Sequence, residues 1–463
     1  MPRRRSSSGR RRRVSALAVT DVAAPLGADE FSRLMAGLGP FEAAPVIAVA
    51  VSGGPDSMAL CALAHDWARK RGGRAEALIV DHGLRPESTE EAHRVAGWLT
   101  SLDISCRILT WDGAKPQSNI HATARAARYG LLQAWCHDKG IAHLLLGHHQ
   151  DDLAETLLLR LERHSGLDGL AAMAAIVETP DGRLLRPLLT VPQGRLRAIL
   201  KERRLPSVDD PSNHDRRYGR IRIRQMMPAL ADQGVSTIRL AGTALALGRA
   251  RRFMDDAVAY FLAGAVTPHA AGFCWLDAAA YGAAPEELSR RALTRLLLHV
   301  GGGAYPPRSE RLERLHRALA DNGLGRGRTL AGCRVIPGRR GVLFFREPNA
   351  VTDDMVLQGG GDLIWDRRFR IRADSGDYRV RRLGQDGRSD VTQAYRRHSA
   401  QLVPAAVLPS MPAIFDLDGM VAVPHLNFVR KNGGEPALKG LAVDFRPAHS
   451  LSPAGFAFAG TGG

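Results

Sequence analysis

The chain of 463 residues has a formal net charge of +17, with 45% hydrophobic and 24% charged residues. This composition is ordinary for a globular protein of about three domains and excludes a largely disordered chain. The positive charge favours a polyanionic partner, nucleic acid before membrane, because no long apolar segment is present. The five cysteines form no C-x-x-C pair, which argues against a disulfide framework or an iron–sulfur site and fits a reducing cytoplasm.

Changes in composition along the chain predict its organisation. A basic tail, with seven arginines in its first 13 residues, has no apolar face and should be disordered. The regions that we predict are this tail (1–24), an α/β catalytic domain (25–234), a mainly helical accessory domain (235–347), a small mixed α/β domain (362–445) and a loose C-terminal tail (446–463).

The first apolar strand, Val46–Val51, runs into Ser52-Gly-Gly-Pro-Asp-Ser57 and a helix that begins near Pro55. Two glycines allow a tight turn with bare N–H groups, and the helix N-terminus adds positive charge, so this turn predicts a phosphate site. Ser52 and Ser57 add hydroxyl donors. Asp56 alone would repel phosphate, which implies Mg²⁺ between them. The alternative is an ordinary βα turn whose glycines serve packing.

Strands and helices alternate after this turn. The predicted strands are Arg74–Val80, Ile104–Thr110 and Ile141–Leu146, and the predicted helices are Ser88–Ser101, Asn119–Lys139 and Gln193–Arg204. This order predicts a Rossmann-like parallel sheet covered on both faces, in which ligands bind beyond the carboxyl ends of the strands. Ser52–Ser57, Asp81-His82 and His148–Thr156 all follow strand ends, so we expect them to meet in one crevice.

Asp152 and Glu155 lie three residues apart at a helix start and share one face, with Asp151 beside them. This pattern favours Mg²⁺ coordination and capture of a cationic amine; the alternative is that the carboxylates only cap the helix. A zinc site is less favoured, because two of its three candidate ligands are adjacent rather than spaced along a helix. Those candidates are His82, His148 and His149.

Basic and glycine-containing segments supply candidate phosphate contacts. The segment 163–170 breaks the helical pattern and is typical of a mobile loop over the crevice. The alternating arginines of 220–224 share one face if the segment is extended and splay apart if it is helical. A solvated basic face is the alternative for every arginine here. The candidates are Arg125, Arg128, Ser165, Gly166, Arg220, Arg222 and Arg224.

Six motifs over roughly residues 45 to 230 resemble, in order and spacing, the tRNA(Ile)-lysidine synthetase family of the ATP pyrophosphatase (PP-loop) superfamily. They are Ser52-Gly-Gly-Pro-Asp-Ser57, Asp81-His-Gly-Leu-Arg85, Gly147-His-His-Gln-Asp-Asp-Leu-Ala-Glu-Thr156, Ser165-Gly-Leu-Asp-Gly-Leu170, Arg186-Pro-Leu-Leu189 and Asp210-Pro-Ser-Asn213. The chain departs from the family at His164 and Ala172, where glycine is usual, and at Gln225-Met226-Met227.

The resemblance implies an adenine nucleotide α hydrolase-like PP-loop fold and a ligase that forms a carbon–nitrogen bond. ATP would adenylate the wobble cytidine of tRNA(Ile) with a CAU anticodon, and L-lysine would then displace AMP to give lysidine. The cofactors implied are ATP and Mg²⁺. The implied roles are catalysis by Asp56, Asp152 and Glu155; lysine binding by Asp152 and Glu155; Mg²⁺ binding by Asp56 and Asp151; ATP binding by Ser52, Gly53, Gly54, Pro55, Asp56, Ser57, Asp81, His82 and His148; and tRNA binding by the phosphate-contact candidates above.

Two other interpretations remain open at this point. Another PP-loop enzyme, such as a tRNA thiolating enzyme or an amide ligase, would use the same loop, although thiolation normally needs a cysteine pair or cluster. A non-catalytic RNA-binding protein is disfavoured by the intact Asp56, Asp152 and Glu155. No membrane association is expected, and the sequence leaves a homodimer open.

Overall fold

The structure is a computed structural model, and it divides the chain into two compact units. One unit is Met1–Arg252 with Phe456–Gly463, and the other is Phe253–Gly455. The residues that the structure describes are 24–83, 87–113, 120–179, 182–208, 219–352, 354–385, 391, 403–432, 435–436, 440–453 and 455–457. The predicted tail up to residue 23, Arg85 and the Asp210–Asn213 motif lie outside them. The division into catalytic, accessory and C-terminal domains stays a prediction.

Most helices of the first unit alternate with its strands along the chain, and the second unit has a run of helices between two groups of strands. The helices are α1 (Ala28–Ala36), α2 (Pro55–Arg69), α3 (Ser88–Ser101), α4 (Ile120–Asp138), α5 (Gln150–Glu162), α6 (Leu167–Leu170), α7 (Gln193–Arg203), α8 (Gly219–Asp232), α9 (Thr237–Ala265), α10 (Ala278–Ala283), α11 (Glu286–Gly301) and α12 (Ser309–Ala320).

The strands of the first unit are β1 (Val46–Val51), β2 (Arg74–Asp81), β3 (Ser105–Thr110), β4 (His143–Leu145), β5 (Ile176–Thr179) and β6 (Gly182–Leu185). The strands of the second unit are β7 (Val266–His269), β8 (Phe273–Leu276), β9 (Arg328–Leu330), β10 (Cys333–Gly338), β11 (Gly341–Arg346), β12 (Met355–Leu357), β13 (Asp362–Trp365), β14 (Phe369–Arg372), β15 (Tyr378–Arg382), β16 (Pro412–Asp416), β17 (Gly419–Val423), β18 (Phe428–Val429), β19 (Lys431–Asn432), β20 (Glu435–Pro436) and β21 (Ala442–Phe445).

The first unit is built on a six-stranded sheet in the order β3-β2-β1-β4-β6-β5. All neighbours are parallel except β5 and β6. The central strand β1 is buried along nearly its whole length, as expected for a Val- and Ile-rich strand covered on both faces. The predicted α/β fold with a Rossmann-like parallel sheet is therefore confirmed.

The strand order reverses direction next to β1, and this determines where a ligand can bind. The chain runs outward from β1 to β2 and β3, and then returns to place β4 on the other side of β1. A crevice opens at such a switch point, beyond the carboxyl ends of the two strands. The segment Ser52–Ser57 follows β1 and the segment from Gly147 follows β4, so both predicted motifs lie at this point.

The second unit contains antiparallel sheets. Helix α11 ends where Gly302 takes the left-handed conformation (φ 64°), and α12 begins at Ser309. Strand β12 follows a 3-10 turn over Pro348–Ala350 and pairs with β15. Strands β10 and β11 form a hairpin with Gly338 opposite Gly341 at its turn. Among the described residues, no helix is long and apolar enough to cross a membrane.

Candidate active site

The turn between β1 and α2 forms a compact loop that presents backbone N–H groups. The Oγ of Ser57 donates to the carbonyl of Gly54 at 2.9 Å and accepts from the backbone N–H of Ser52 at 3.2 Å. Ser57 is buried, whereas Ser52 is exposed. Pro55 occupies the first turn of α2, where a missing N–H costs no hydrogen bond. The loop thus places the N-terminus of α2 directly after the carboxyl end of β1, where an anion site of this kind is expected.

Two glycines allow other segments to approach this loop closely. Gly53 has φ 80°, and a Cβ there would lie 2.6 Å from Cγ2 of Val95. The carbonyl of Gly53 also accepts from the backbone N–H of Val208 at 2.8 Å. A Cβ on Gly147, after β4, would lie 3.3 Å from the backbone of Ser57. The start of α5 is thereby packed against the phosphate loop.

Asp56 connects the loop to the two helices that follow β4 and β6. Its Oδ2 lies 3.3 Å from Nε2 of His149 and accepts from Nε2 of Gln193 at 3.1 Å. Its Oδ1 is buried and has no hydrogen-bond partner among the described residues. A buried, unpaired carboxylate oxygen beside an anion site is an electrostatically favourable position for a cation.

His149 lies between three carboxylates at the start of α5. Besides Asp56, its ring nitrogens are each 3.5 Å from a carboxylate oxygen, Nδ1 from Asp151 and Nε2 from Asp152. Burial alone would lower the pKa of His149, but its contacts with Asp151 and Asp56 and the charge of Asp152 raise that pKa to about 10. His149 is therefore an imidazolium at neutral pH.

The neighbouring His148 has the opposite protonation state. Burial and the charges of Arg186 and Arg125 lower the pKa of His148 to about 2, so its ring is neutral at neutral pH. Its Nδ1 is buried and has no hydrogen-bond partner among the described residues. A neutral ring with a free nitrogen can bond to a nucleotide without adding charge.

Asp152 and Glu155 share one face of α5 and are both nearly inaccessible, at 7% and 3% exposure. Oδ2 of Asp152 accepts from the backbone N–H of His149 at 3.0 Å, so capping accounts for one of its oxygens. Oε1 of Glu155 accepts from Nε of Arg224 at 2.5 Å, whereas Oε2 is buried and has no partner within the described part of the chain. Burial raises the pKa of Glu155, and Arg224 opposes that rise.

The arginines of 220–224 lie on a helix, so the extended alternative is wrong for this segment. Ile221 and Ile223 are buried in α8. Arg220 and Arg224 are one turn apart, and each has a terminal nitrogen 3.9 Å from Oδ1 of Asp152. Arg222 points elsewhere and pairs with Glu162 at 3.5 Å. The helix thus separates two carboxylate-facing arginines from a third, as the splayed interpretation predicts.

The other candidates have partners of their own. The carboxylate of Asp81 accepts from the Ser88 and Thr89 hydroxyls at 2.8 and 2.6 Å, and it thereby anchors the start of α3. His82 directly follows it. On α4, Nη2 of Arg125 donates to the Tyr129 hydroxyl at 3.2 Å, and Arg128 is exposed. The ligand roles assigned to these residues stay predictions.

The segment 163–170 was predicted as a loop, but its second half is the short helix α6 (Leu167–Leu170). Ser165 and Gly166 precede the short helix α6, and the backbone N–H of Ser165 donates to the carbonyl of Arg160 at 3.0 Å. Nη1 of Arg251 on α9 donates to the carbonyl of Asp168 at 2.8 Å. His164 and Ala172 both have positive φ, at 52° and 57°. This explains why glycine suits both positions. The loop's mobility and its phosphate contacts stay predictions.

The residues present fit a Mg²⁺ ion that takes few ligands from the protein and is held mainly by the phosphates of a bound nucleotide. In the described part of the chain, no three His, Cys, Asp or Glu residues form a metal-binding cluster. Mg²⁺ typically takes one or two protein carboxylates and completes its shell with phosphate and water oxygens. Asp56, with its unpaired Oδ1, suits that role better than Asp151, whose Oδ2 accepts from the backbone N–H of Gln193 at 3.0 Å.

Sequence reasoning missed three residues of this site. His149 appeared only as a zinc alternative, and Gln193 only as the start of a helix. Arg186, in a quoted motif, was given no role; it is buried, and its Nη1 donates to the carbonyl of Ala174 at 2.7 Å. The one available signal for Gln193 was its position at a helix start soon after β6, at the ligand-binding edge of the sheet.

The chain is similar to known proteins over most of its length. Residues 28–230 match the family model of the PP-loop domain. The tRNA(Ile)-lysidine synthase of Rhodopseudomonas palustris is 42% identical over 319 residues, which are 67% of this chain and 89% of that protein. The tRNA(Ile)-lysidine synthase of Ruegeria pomeroyi is 36% identical over 403 residues, 86% of this chain and 92% of that protein. A solved structure of the U34-tRNA thiolase NcsA from Methanococcus maripaludis with its 4Fe-4S cluster is 16% identical, with a TM-score of 0.41, over 47% of this chain and 78% of that chain.

Proposed function

The chain belongs to the tRNA(Ile)-lysidine synthase family, and on that premise we propose that it converts the wobble cytidine of tRNA(Ile) with a CAU anticodon to lysidine. The family resemblance of the motifs is thereby confirmed. The observation that carries the proposal is the junction of the phosphate loop with the carboxylates of α5, where Asp56 lies 3.3 Å from His149. This contact supports a single crevice in which the loop would bind phosphate and the α5 carboxylates would bind a cationic amine.

In the first half-reaction, the C2 oxygen of the cytidine attacks the α-phosphorus of ATP, and pyrophosphate leaves. The N–H groups of Gly53 and Gly54 and the N-terminus of α2 would hold the leaving phosphates. Asp56 would hold Mg²⁺, which neutralises charge on the departing pyrophosphate. The neutral ring of His148 would position the nucleotide through a hydrogen bond to its ring nitrogen.

In the second half-reaction, the ε-nitrogen of L-lysine attacks C2, the C2–O bond breaks and AMP leaves. Lysine arrives as an ammonium, with a free pKa of about 10.4, and must lose a proton before it can attack. Asp152 and Glu155 would orient that ammonium, and one of them would accept the proton. Burial raises the pKa of Glu155, which favours Glu155 as that base.

The target base must leave its stack to reach such a site, so the rest of the tRNA has to be held by its backbone. Arg220 and Arg222, both partly exposed on α8, would contact phosphates beside the crevice. Arg125, Arg128 and the Ser165-Gly166 turn remain proposed contacts of the same kind. We expect the reaction to take place in the cytoplasm; a homodimer remains a prediction.

Burial of four of the five cysteines, all except the partly exposed Cys106, disfavours thiolation as an alternative. Burial raises the pKa values of Cys61, Cys274 and Cys333 to about 12 and that of Cys136 to about 11. A sulfur carrier needs an accessible thiolate, and none of these four provides one at neutral pH. An amide ligase would share the loop but would not need a basic helix beside its carboxylates.

The proposed function is tested by incubating the protein with ATP, labelled L-lysine and an unmodified tRNA(Ile) transcript. We expect the label to enter the tRNA, with one AMP released for each lysine. A transcript with uridine at the wobble position should remain unlabelled. If the protein catalyses ATP–pyrophosphate exchange but no label enters the tRNA, it has another PP-loop activity. If it does not catalyse the exchange either, it is a non-catalytic protein.

A further inference from the structure

Arg224 contacts the two carboxylates, Asp152 and Glu155, that we propose to bind the ammonium group of the lysine substrate. Its Nε donates to Oε1 of Glu155 at 2.5 Å, and its Nη2 lies 3.9 Å from Oδ1 of Asp152. Both carboxylates are nearly inaccessible, which limits the directions from which a cation can approach them. The guanidinium of Arg224 and a lysine ammonium therefore compete for the same two carboxylates.

The contact with Arg224 leaves part of this acidic site unsatisfied. Oε2 of Glu155 is buried and has no partner among the described residues. An ammonium carries three donors on one atom, so it can serve several converging oxygens at once. The planar guanidinium satisfies only one oxygen of Glu155 by hydrogen bonding. The site is therefore suited to an exchange of arginine for lysine.

A polyanion can reach the arginines that would have to move. The side chains of Arg220, Arg222 and Arg224 are 39%, 53% and 42% exposed. Phosphate oxygens compete well for guanidinium groups, with which they form paired hydrogen bonds. A nucleic-acid backbone that binds along α8 would thus offer Arg220 and Arg224 an alternative to Asp152 and Glu155.

We propose that Arg224 is an exchangeable counter-ion that controls access to the lysine site. It neutralises Glu155 and Asp152 until the tRNA backbone binds α8, and its transfer to phosphate opens the two carboxylates to the lysine ammonium. Lysine then binds tightly only after tRNA, which gives the substrates an order. The inference rests on the proposed function, because it assumes that these carboxylates receive lysine.

The test is a calorimetric titration of L-lysine into the full-length protein, with and without saturating unmodified tRNA(Ile) and without ATP. We expect the wild type to bind lysine roughly 10- to 100-fold more tightly with tRNA, as loss of a charged hydrogen bond implies. Arg224→Gln should bind lysine tightly in both conditions. The matched control is Arg203→Gln, which removes the same charge and an ion pair with Asp66 but leaves Glu155 engaged with Arg224. It should keep the dependence on tRNA.

Equal lysine affinity of the wild type with and without tRNA would overturn the inference. So would weaker lysine binding by Arg224→Gln in both conditions, since Arg224 would then belong to the lysine site itself. If Arg224→Gln loses the native circular dichroism spectrum, the inference is tested by the lysine affinities of the wild type with and without tRNA and by those of Arg224→Lys. Arg224→Lys should retain part of the dependence of lysine binding on tRNA. The proposed function fails separately, when the wild type with ATP incorporates no lysine into tRNA.

Discussion

Nε2 of His149 lies 3.3 Å from Oδ2 of Asp56, and this contact joins the phosphate loop after β1 to the helix after β4. The two residues are far apart in the sequence and meet because β1 and β4 are parallel neighbours at the switch point of the sheet. An imidazolium and a carboxylate are thereby held between the phosphate loop and the carboxylates of α5.

Asp56→Ala should abolish adenylation while tRNA still binds. The variant removes the carboxylate with the unpaired buried oxygen, which we assign to Mg²⁺. We expect adenylated tRNA to form at least about 100-fold more slowly, the scale on which charge stabilisation acts in catalysis. Pyrophosphate release reports the loss, and filter binding reports tRNA affinity. Asp66→Ala, on the same helix but in an exposed ion pair with Arg203, is the control and should behave as wild type. Near-normal pyrophosphate release by Asp56→Ala would refute the assignment.

Gly53 and Gly54 should respond differently to an added methyl group. Gly53→Ala places a Cβ 2.6 Å from Val95 in a backbone with φ 80°, so it should lower the unfolding free energy by on the order of 1–3 kcal/mol. Gly54 has φ −70°, and its Cβ would lie 3.6 Å from the nearest atom, Oγ of Ser52. Gly54→Ala should therefore change stability by less than about 0.5 kcal/mol. Denaturant unfolding of both variants tests the difference, and equal stabilities would contradict the loop geometry.

His149 should make stability fall as the pH rises. Its pKa of about 10 exceeds the free value of 6.5, so the folded state holds a proton that the unfolded state releases. The stabilisation is fully present below pH 6.5 and is lost as the pH rises through about 10. It amounts to on the order of a few kcal/mol. In His149→Gln, the denaturation midpoint should change much less between pH 6.5 and 9.5 than in the wild type. An equally large change with pH in the variant would show that His149 is neutral.

His164→Gly should stabilise the protein. His164 is exposed and has φ 52°, a conformation that costs an ordinary residue about 1–2 kcal/mol and glycine almost nothing. Glycine gives the unfolded chain more conformational entropy, which offsets part of the relieved backbone strain. The unfolding free energy should therefore rise by up to about 1 kcal/mol. Arg163→Gly, one residue earlier with φ −93°, should instead destabilise. Unfolding midpoints compare the two, and a loss of stability in both would contradict the strained backbone.

Local patterns predicted the elements that build the site. Strand Val46–Val51 and helix Ser88–Ser101 have the predicted bounds, and the strand ends at the Ser52-Gly-Gly turn signal. The arginines of 220–224 could not be placed by spacing alone. The alternation of arginine with isoleucine is typical of a strand. Only the helical structure of α8, in which Ile221 and Ile223 are buried, shows which arginines face the carboxylates.

The contacts between distant segments could not be predicted from local pattern. Gln193 donates to Asp56 across 137 positions of sequence, and no periodicity reports such a pairing. The pairing of Arg224 with Glu155 likewise depends on how α8 packs against α5. The motifs therefore predict which chemical groups the site contains, whereas the tertiary packing determines which of these groups contact one another.

The central claim is that the phosphate loop activates the tRNA and the α5 carboxylates deliver lysine. A single-turnover assay of Glu155→Gln that follows AMP attachment and lysine incorporation separately tests it most directly. We expect AMP attachment near the wild-type rate and lysine incorporation slower by about 100-fold or more, so that adenylated tRNA accumulates. Glu162→Gln, on the exposed side of the same helix, should slow neither step. Equal loss of both steps in Glu155→Gln would contradict the account.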